Sequence, residues 1–286
     1  MDAVDDTSKL LAGSGAQSYE DAPSLLTVII DTHCGGWASV KGLDVRTAMT
    51  SILVFLNAHL AMRATNQVAV IGFNGSGTRF MYPQDPLTSS STDGEGKIHG
   101  KMYAPFRALD ETVFSEIFHQ IEETSSGKMR SVSGALSTAL CYTDRIRKES
   151  PAVRGRVLIV SVTPDESSHY IPTMNCIFAA QKCEVPIDVC DLTGGKSFLQ
   201  QAPDLTGGIY IQVAPEGLIQ YLLGAFSIDT SLREYVNLPT MDRVDFSAVC
   251  FGSNKVISIG YVCSVCLCTT ETKYDPCPLC GTPTDS

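Results

Sequence analysis

Short, almost continuous apolar runs alternate with segments of helical periodicity over about 200 residues, and this alternation constrains the fold more than any other feature. Residues 25–31, 67–73 and 156–162 are apolar along nearly their whole length, as expected of strands covered on both faces. Between them, apolar residues recur at helical spacing, for example over residues 43–62. The pattern predicts an α/β fold with a doubly wound, mostly parallel sheet.

One predicted strand departs from the parallel pattern. Residues 78–82 follow the strand 67–73 after the glycine-rich turn 74–77, and this spacing predicts an antiparallel hairpin strand. Two more strands are predicted at 185–190 and 209–213, and further helices at 113–121, 131–146, 171–181, 197–205 and 215–225. In such a sheet, ligands bind at the carboxyl ends of the strands.

The cysteines are unevenly distributed, since five of the eleven lie between residues 263 and 280. Cys263 and Cys266 form one C-x₂-C pair, and Cys277 and Cys280 form a second pair ten residues later. Two such pairs aim four thiolates at one ion, which is how structural zinc is held. The spacing predicts one structural Zn²⁺ in a small C-terminal C4 zinc finger, with the metal supplying folding energy. Cys268 is interpreted as a bystander thiol.

Net charge and targeting signals exclude several classes of protein. Thirty-one acidic residues against 21 basic ones give a net charge of −10, which disfavours a nucleic-acid-binding surface over the whole molecule. Residues 260–286 contain one base, Lys273, so we expect no direct nucleic-acid contact by the finger. No apolar run reaches 18 residues, so we expect no membrane span. The N-terminal segment has no signal-peptide pattern, which favours a reducing compartment and reduced cysteines.

No catalytic motif is evident in the sequence. A nucleophile elbow, a P-loop, a kinase signature and an HExxH motif are all missing. The glycines at 72, 75 and 77 lie between two strand-like runs and lack a following helix and lysine, so they indicate a hairpin turn. We therefore expect a protein that is not an enzyme.

Three polar residues at the predicted sheet edge resemble the cation site of the von Willebrand factor A fold. Asp31 ends the first strand, Ser131 opens a helix, and Asp165 follows the strand 156–162. The metal-binding version of that fold has Asp-x-Ser-x-Ser after the first strand, whereas His33 and Gly35 stand at the two serine positions here. We therefore interpret Asp31, Ser131 and Asp165 as a degenerate cation site that holds no metal.

Further segments resemble one family, the small von Willebrand A subunit of general transcription and DNA repair factor IIH (TFIIH). The similarity runs from about Leu25 to Gly281, and that family also lacks the serine pair. The segments that carry it are Asn57-Ala58-His59-Leu60, Ile177-Phe178-Ala179-Ala180-Gln181, Leu199-Gln200-Gln201-Ala202, Thr206-Gly207-Gly208, Gln220-Tyr221-Leu222-Leu223 and Gly260-Tyr261-Val262-Cys263-Ser264-Val265-Cys266-Leu267.

This resemblance implies a nuclear, non-enzymatic scaffold of the TFIIH core that serves RNA polymerase II transcription initiation and nucleotide excision repair. It implies a heterodimer with the larger subunit that carries a von Willebrand A domain and zinc modules, and contacts with other core subunits, including the helicases. Two alternatives stay open: a cation-dependent ligand-binding von Willebrand A module, and a zinc-dependent ubiquitin ligase component. The latter would need eight zinc ligands, and the cysteine pairs supply one site.

These features together predict four regions. Residues 1–22 form a mobile acidic tail, residues 23–235 the von Willebrand A domain, residues 236–259 a linker with short strands, and residues 260–286 the C4 zinc finger. The loop at 83–104 is rich in Pro, Ser, Thr, Gly and Asp and has no periodicity.

Overall fold

A computed structural model describes residues 22–83, 104–122, 132–164, 169–193, 198–239 and 244–283. The predicted tail up to residue 21, the loop residues 84–103, and both Ser131 and Asp165 lie outside the described residues.

A six-stranded sheet forms the centre of the molecule, with the strand order β3-β2-β1-β4-β5-β6. Neighbouring strands are parallel except β3, which pairs with β2 in the antiparallel direction. The predicted α/β class and the single antiparallel hairpin strand are therefore confirmed. The strands are β1 (Ser24–Asp31), β2 (Gln67–Asn74), β3 (Gly77–Tyr82), β4 (Arg154–Ser161), β5 (Ile187–Asp191) and β6 (Tyr210–Gln212).

The central strand β1 is buried along its whole length because both of its faces are covered. Val28 pairs with Val70 of β2 on one side and with Leu158 of β4 on the other. Along the strand, Leu26, Val28 and Ile30 contribute to the hydrophobic core on one face of the sheet, whereas Ile29 contributes to the core on the other face. This two-sided burial explains why β1 is an unbroken apolar run and does not alternate.

Helices cover both faces of the sheet. The helices α2, α3 and α7 contribute to one core, and α4, α5 and α6 contribute to the other. They are α1 (Cys34–Ser39), α2 (Val45–Met62), α3 (Ala104–Glu122), α4 (Val132–Glu149), α5 (Tyr170–Lys182), α6 (Gln201–Thr206) and α7 (Leu218–Tyr221), with short 3₁₀ turns at Phe198–Gln200, Pro215–Gly217 and Thr230–Tyr235 and a π-helical turn at Leu222–Phe226.

Two helices differ from the sequence-based expectation. The sequence analysis assigns no helix to the segment after β1, but this segment forms α1, because the His33 ring caps Gly36 N at 2.9 Å and the Trp37 side chain is buried. Helix α3 begins at residue 104, before the predicted start at 113, because Leu109 in its second turn is buried in the core. Both differences arise from tertiary packing, which sequence periodicity does not register.

Among the described residues, α2 is the one helix long and apolar enough by length and composition to cross a membrane. About 39% of that helix is buried inside the protein. The side chains of Ile52, Phe55 and Leu56 are fully or almost fully buried in the core that includes β1. We therefore assign α2 to the core of the α/β domain.

A buried network of charges ties the segment after α7 to the amino ends of β4 and β5. Asp188 of β5 is fully buried and accepts two hydrogen bonds from Arg233, at 2.8 and 2.6 Å. Arg156 of β4 donates to the carbonyl oxygens of Phe226 and Ile228 at 2.6 and 3.2 Å. Arg156 directly precedes the apolar run of β4, and Asp188 lies between Ile187 and Val189 of β5. A charge beside such buried apolar residues is the sequence signal that could have indicated a buried ion pair.

Four two-residue strands build the C-terminal part of the described chain. One antiparallel pair joins β7 (Ala248–Val249) to β8 (Val256–Ile257), and another joins β9 (Tyr261–Val262) to β10 (Thr269–Thr270). We call residues 244–283 the C-terminal module. Its Val249 is 2% exposed and belongs to the same core as Ile177 of α5 and Leu199, so the module packs on the α/β domain. Gln201 of α6 reinforces this contact by donating to the carbonyl oxygens of Asp245 and Ser247.

Candidate metal centre and interaction surface

The four cysteines predicted to bind metal converge in the C-terminal module. The sulfur atoms of Cys263, Cys266, Cys277 and Cys280 all lie within 4.8 Å of one another. The Cys263 and Cys280 sulfurs are 3.7 Å apart, and those of Cys266 and Cys277 are 3.6 Å apart. A tetrahedral site with Zn–S bonds of about 2.3 Å has sulfur–sulfur edges of about 3.8 Å. The four sulfur donors and their spacing therefore fit one metal ion bound by four thiolates. Among the described residues, this is the one cluster of potential metal ligands.

The two cysteine pairs lie in turns of the same backbone geometry. In the first, Leu267 N donates to Cys263 O and Cys263 N donates to Cys268 O. The second turn repeats this, with Gly281 N bonded to Cys277 O and Cys277 N bonded to Thr282 O. Residues 267 and 281 both adopt positive φ, 61° and 71°, as the turn requires. Glycine adopts this conformation readily at position 281, whereas Leu267 carries no sequence signal for it.

Hydrogen bonds make some of these thiols more acidic than others. The N–H groups of Cys280 and Leu279 lower the pKa of Cys277 to about 6. A hydrogen bond with the Thr282 hydroxyl lowers the pKa of Cys280. Burial raises the pKa of Cys266, so this sulfur favours its protonated form when no cation is bound. A divalent cation would compensate for the burial of these thiolates, because metal binding requires all four to be deprotonated.

A third turn of the same geometry, which no C-x₂-C motif marks in the sequence, precedes the two cysteine pairs. Asn254 N donates to Cys250 O, Cys250 N donates to Lys255 O, and Asn254 has a positive φ of 51°. Ser253 stands where the other two turns have their second cysteine. Hydrogen bonds from Ser253 lower the pKa of the Cys250 thiol to about 7. The turn supplies one thiol, and its Cys250 does not belong to the converging sulfur group.

The C-terminal module exposes an unusual amount of apolar side chain for its size. Ten large apolar residues are exposed in it, and we call them the apolar surface of the module: Phe246, Phe251, Val256, Ile259, Tyr261, Val262, Val265, Leu267, Tyr274 and Leu279. Ile259 is 87% exposed, and Val265, between the first two metal-candidate cysteines, is 62% exposed. Ten exposed apolar side chains within residues 244–283 favour a role of this module in protein–protein contact.

At the carboxyl ends of the sheet strands, Asp31 is the one described residue of the predicted degenerate cation site. Asp31 is fully buried, and its carboxylate accepts from the Thr163 hydroxyl and from His33 N, the latter at 3.0 Å. The His33 ring caps α1 through Gly36 N. A cavity of about 30 Å³ lies beside Asp31 and Ser161. The Asp31 carboxylate is thus held by internal hydrogen bonds.

Comparison with known proteins places this architecture in a family. The model of the family described as Transcription factor Tfb4 matches residues 23–281, which include the whole sheet and all four converging cysteines. The chain belongs to the Tfb4 family. The Tfb4-family chain shares its fold with the crystal structure of the TFIIH p34 N-terminal domain, at a TM-score of 0.62 and 35% identity, over 71% of this chain and 97% of that one.

Curated relatives match the chain over nearly its full length. The protein named general transcription and DNA repair factor IIH subunit TFB4 in Yarrowia lipolytica is 41% identical over 99% of this chain and 93% of its own length. The protein of the same name in Saccharomyces cerevisiae is 38% identical over 100% of this chain and 93% of its own length. The family inferred from the sequence motifs is therefore confirmed.

Proposed function

We propose that this chain is a structural, non-enzymatic subunit of the TFIIH core, acting in RNA polymerase II transcription initiation and nucleotide excision repair. The family match over residues 23–281 carries this proposal, because relatives aligned over more than 90% of their own length are named as TFIIH subunits. The Asp31 carboxylate agrees with a scaffold role, since it accepts hydrogen bonds from Thr163 and from His33 of this same chain.

We propose that the partner is the larger TFIIH subunit with a von Willebrand A domain and zinc modules, which in turn links this chain to the helicase subunits. The apolar surface of the C-terminal module supports this. Side chains such as Ile259, Tyr261 and Val265 are more than half exposed, and burying them against a partner would be favourable by about 25 cal/mol per Å². An obligate interface has this apolar character.

We propose that Cys263, Cys266, Cys277 and Cys280 hold one Zn²⁺, which has a structural role because a four-thiolate shell leaves no open position for chemistry. The module buries few apolar side chains of its own, with Val249 inserted in the core of the α/β domain. Metal binding therefore contributes much of the folding energy of residues 260–286. We retain Asp31, Ser131 and Asp165 as a cation site that has lost its function.

We propose a nuclear location and no direct contact with nucleic acid. The net charge is −10, and residues 260–286 contain the single base Lys273, so the finger lacks the clustered positive charge that phosphate contacts need. The proposed regions are the tail 1–22, the von Willebrand A domain 23–235, the linker 236–259 and the finger 260–286.

The proposed role is tested by replacing the Saccharomyces cerevisiae relative with this chain and measuring growth, survival after ultraviolet irradiation, and recovery of the intact TFIIH core. Complementation with an assembled core is expected. A complex that assembles without this chain, or a chain that is found outside TFIIH, would contradict the proposal.

The interface is tested by co-expression of the full chain with the larger subunit. Ile259→Asp is expected to abolish co-purification, because it places a charge in the apolar surface. Val54→Asp is the matched control, because Val54 is a 47% exposed apolar residue on α2 of the α/β domain. Equal co-purification of both variants would argue against this surface.

Two measurements distinguish the proposed scaffold from a ubiquitin ligase component and from a cation-dependent von Willebrand A module. Metal analysis is expected to give one zinc per chain, whereas two per chain would favour a ubiquitin ligase component with eight ligands. Calorimetry with Mg²⁺ or Mn²⁺ is expected to show no binding. Micromolar binding that Asp31→Ala abolishes would favour the cation-dependent von Willebrand A module.

A further inference from the structure

A fifth thiol, Cys268, lies against the converging sulfurs. Its sulfur is 3.5 Å from the Cys277 sulfur, and the residue is 1% exposed. The backbone holds it in place, since Cys268 O accepts the hydrogen bond from Cys263 N at 3.0 Å. Cys268 is outside the group of four sulfurs that are all within 4.8 Å of one another. It therefore lies beside the group of four, with its sulfur against that of Cys277.

A thiol in this position can offset part of the negative charge of the four metal-candidate sulfurs. Four thiolates around one Zn²⁺ carry two negative charges in excess of the metal, and burial makes that excess costly. Hydrogen-bond donors aimed at the sulfurs offset this cost, and the turn of the second cysteine pair directs the N–H groups of Leu279 and Cys280 at Cys277. A neutral thiol can donate one hydrogen bond to a sulfur acceptor.

We propose that Cys268 is a positioning residue of the metal centre, whose S–H group donates a hydrogen bond to the metal-bound sulfur of Cys277. This inference rests on the proposed zinc site. The bond fixes the orientation of the Cys277 side chain and withdraws electron density from its sulfur. Partners of this kind typically change metal affinity by about 10- to 100-fold, and because S–H is a weak donor the expected effect is about tenfold.

The test uses the full chain loaded with Co²⁺ in place of Zn²⁺, so that the sulfur-to-cobalt charge-transfer bands report on the thiolates. Cys268→Ala removes the donor, and Cys268→Ser keeps a donor of similar size. Cys250→Ala is the matched control, because Cys250 is a thiol of the same module that is 4% exposed and lies outside the sulfur group.

The alanine variant is expected to bind Co²⁺ about tenfold more weakly in competition with a chelator. Its charge-transfer bands are expected to move to lower energy, because a sulfur that loses a hydrogen bond is easier to oxidise. The serine variant is expected to stay close to the unmodified chain in both measurements. The Cys250→Ala control is expected to leave both unchanged.

Three outcomes would overturn the inference, and they separate it from the zinc proposal. An alanine variant with unchanged bands and affinity would mean that Cys268 only packs. A Cys266→Ser variant that keeps a four-thiolate spectrum, and loses it when Cys268→Ala is added, would make Cys268 a ligand. If the unmodified chain binds neither Co²⁺ nor Zn²⁺, the zinc site itself is wrong, and the role of Cys268 is wrong with it.

Discussion

Replacing Asp188 with asparagine tests whether the buried charge network holds the segment after α7 on the sheet. Asp188 is fully buried, accepts two hydrogen bonds from Arg233 and a third from Ile209 N at 2.9 Å, and lies 3.9 Å from Arg156. Asparagine keeps the size of the side chain but removes its negative charge. The two guanidinium groups then remain in the interior without their shared counter-ion.

The cost follows from this geometry. Two unit charges about 4 Å apart attract by about 4 kcal/mol at the effective dielectric constant that describes protein interiors. Removing one partner of a buried pair costs about 3–5 kcal/mol in measured cases, because the other charge is left uncompensated. Arg156 retains its two carbonyl partners, which keeps the expected loss of unfolding free energy within that range. This is a large share of the stability of a typical domain, which is about 5–15 kcal/mol.

Urea unfolding monitored by tryptophan fluorescence measures this loss, because Trp37 is the single tryptophan and is 2% exposed in the α/β domain. With a slope of about 3 kcal/mol per M, the midpoint should fall by about 1–1.7 M. The control is Asp144→Asn, which removes an ion pair with Lys148 that is as short, 2.6 Å, but exposed, and no resolvable shift is expected. A shift below about 0.3 M for Asp188→Asn would mean that Arg156 and Arg233 are stabilised without this carboxylate, and would refute the argument.

Other parts of the molecule give sharp expectations. Gly208→Ala should destabilise the chain by at least about 3 kcal/mol in the same titration, because the new Cβ would lie 1.9 Å from Ile187 O. Gly224→Ala, with nothing within 4 Å of its Cβ, should be neutral or slightly stabilising, and equal effects would contradict the packing argument. Burial lowers the pKa of His59 to about 4 from its ordinary value of 6.5, so the unfolded chain binds more protons between these pH values. The free energy of unfolding is therefore unaffected by His59 above about pH 6.5 and falls by up to about 3 kcal/mol as the pH drops towards 4. His59→Gln should flatten that dependence. Finally, excess chelator should raise the rate of amide hydrogen exchange over residues 261–282 while Trp37 emission stays constant. A change in Trp37 emission at the same chelator concentration would mean that the metal stabilises the whole fold.

Much of the fold follows from local sequence patterns. The run 25–31 is apolar without alternation because β1 is covered on both faces, and the hairpin turn between β2 and β3 is encoded by Asn74 and the glycines beside it. The C-x₂-C spacing by itself brings two thiols to one side of a turn, so the four metal-candidate cysteines were predictable before any coordinates.

The sequence thus determined the strand and helix alternation, the cysteine pairs and the family, all of which depend on residues close together in the chain. The tertiary structure decided which distant groups meet. It brings Arg233 to Asp188 across 45 residues, lets the Thr163 hydroxyl engage Asp31, and places the Cys268 thiol against Cys277. Periodicity and spacing carry information about residues that are close together in the chain. The contacts between distant residues depend instead on how the sheet, its helices and the C-terminal module pack, and packing is a property of the whole molecule.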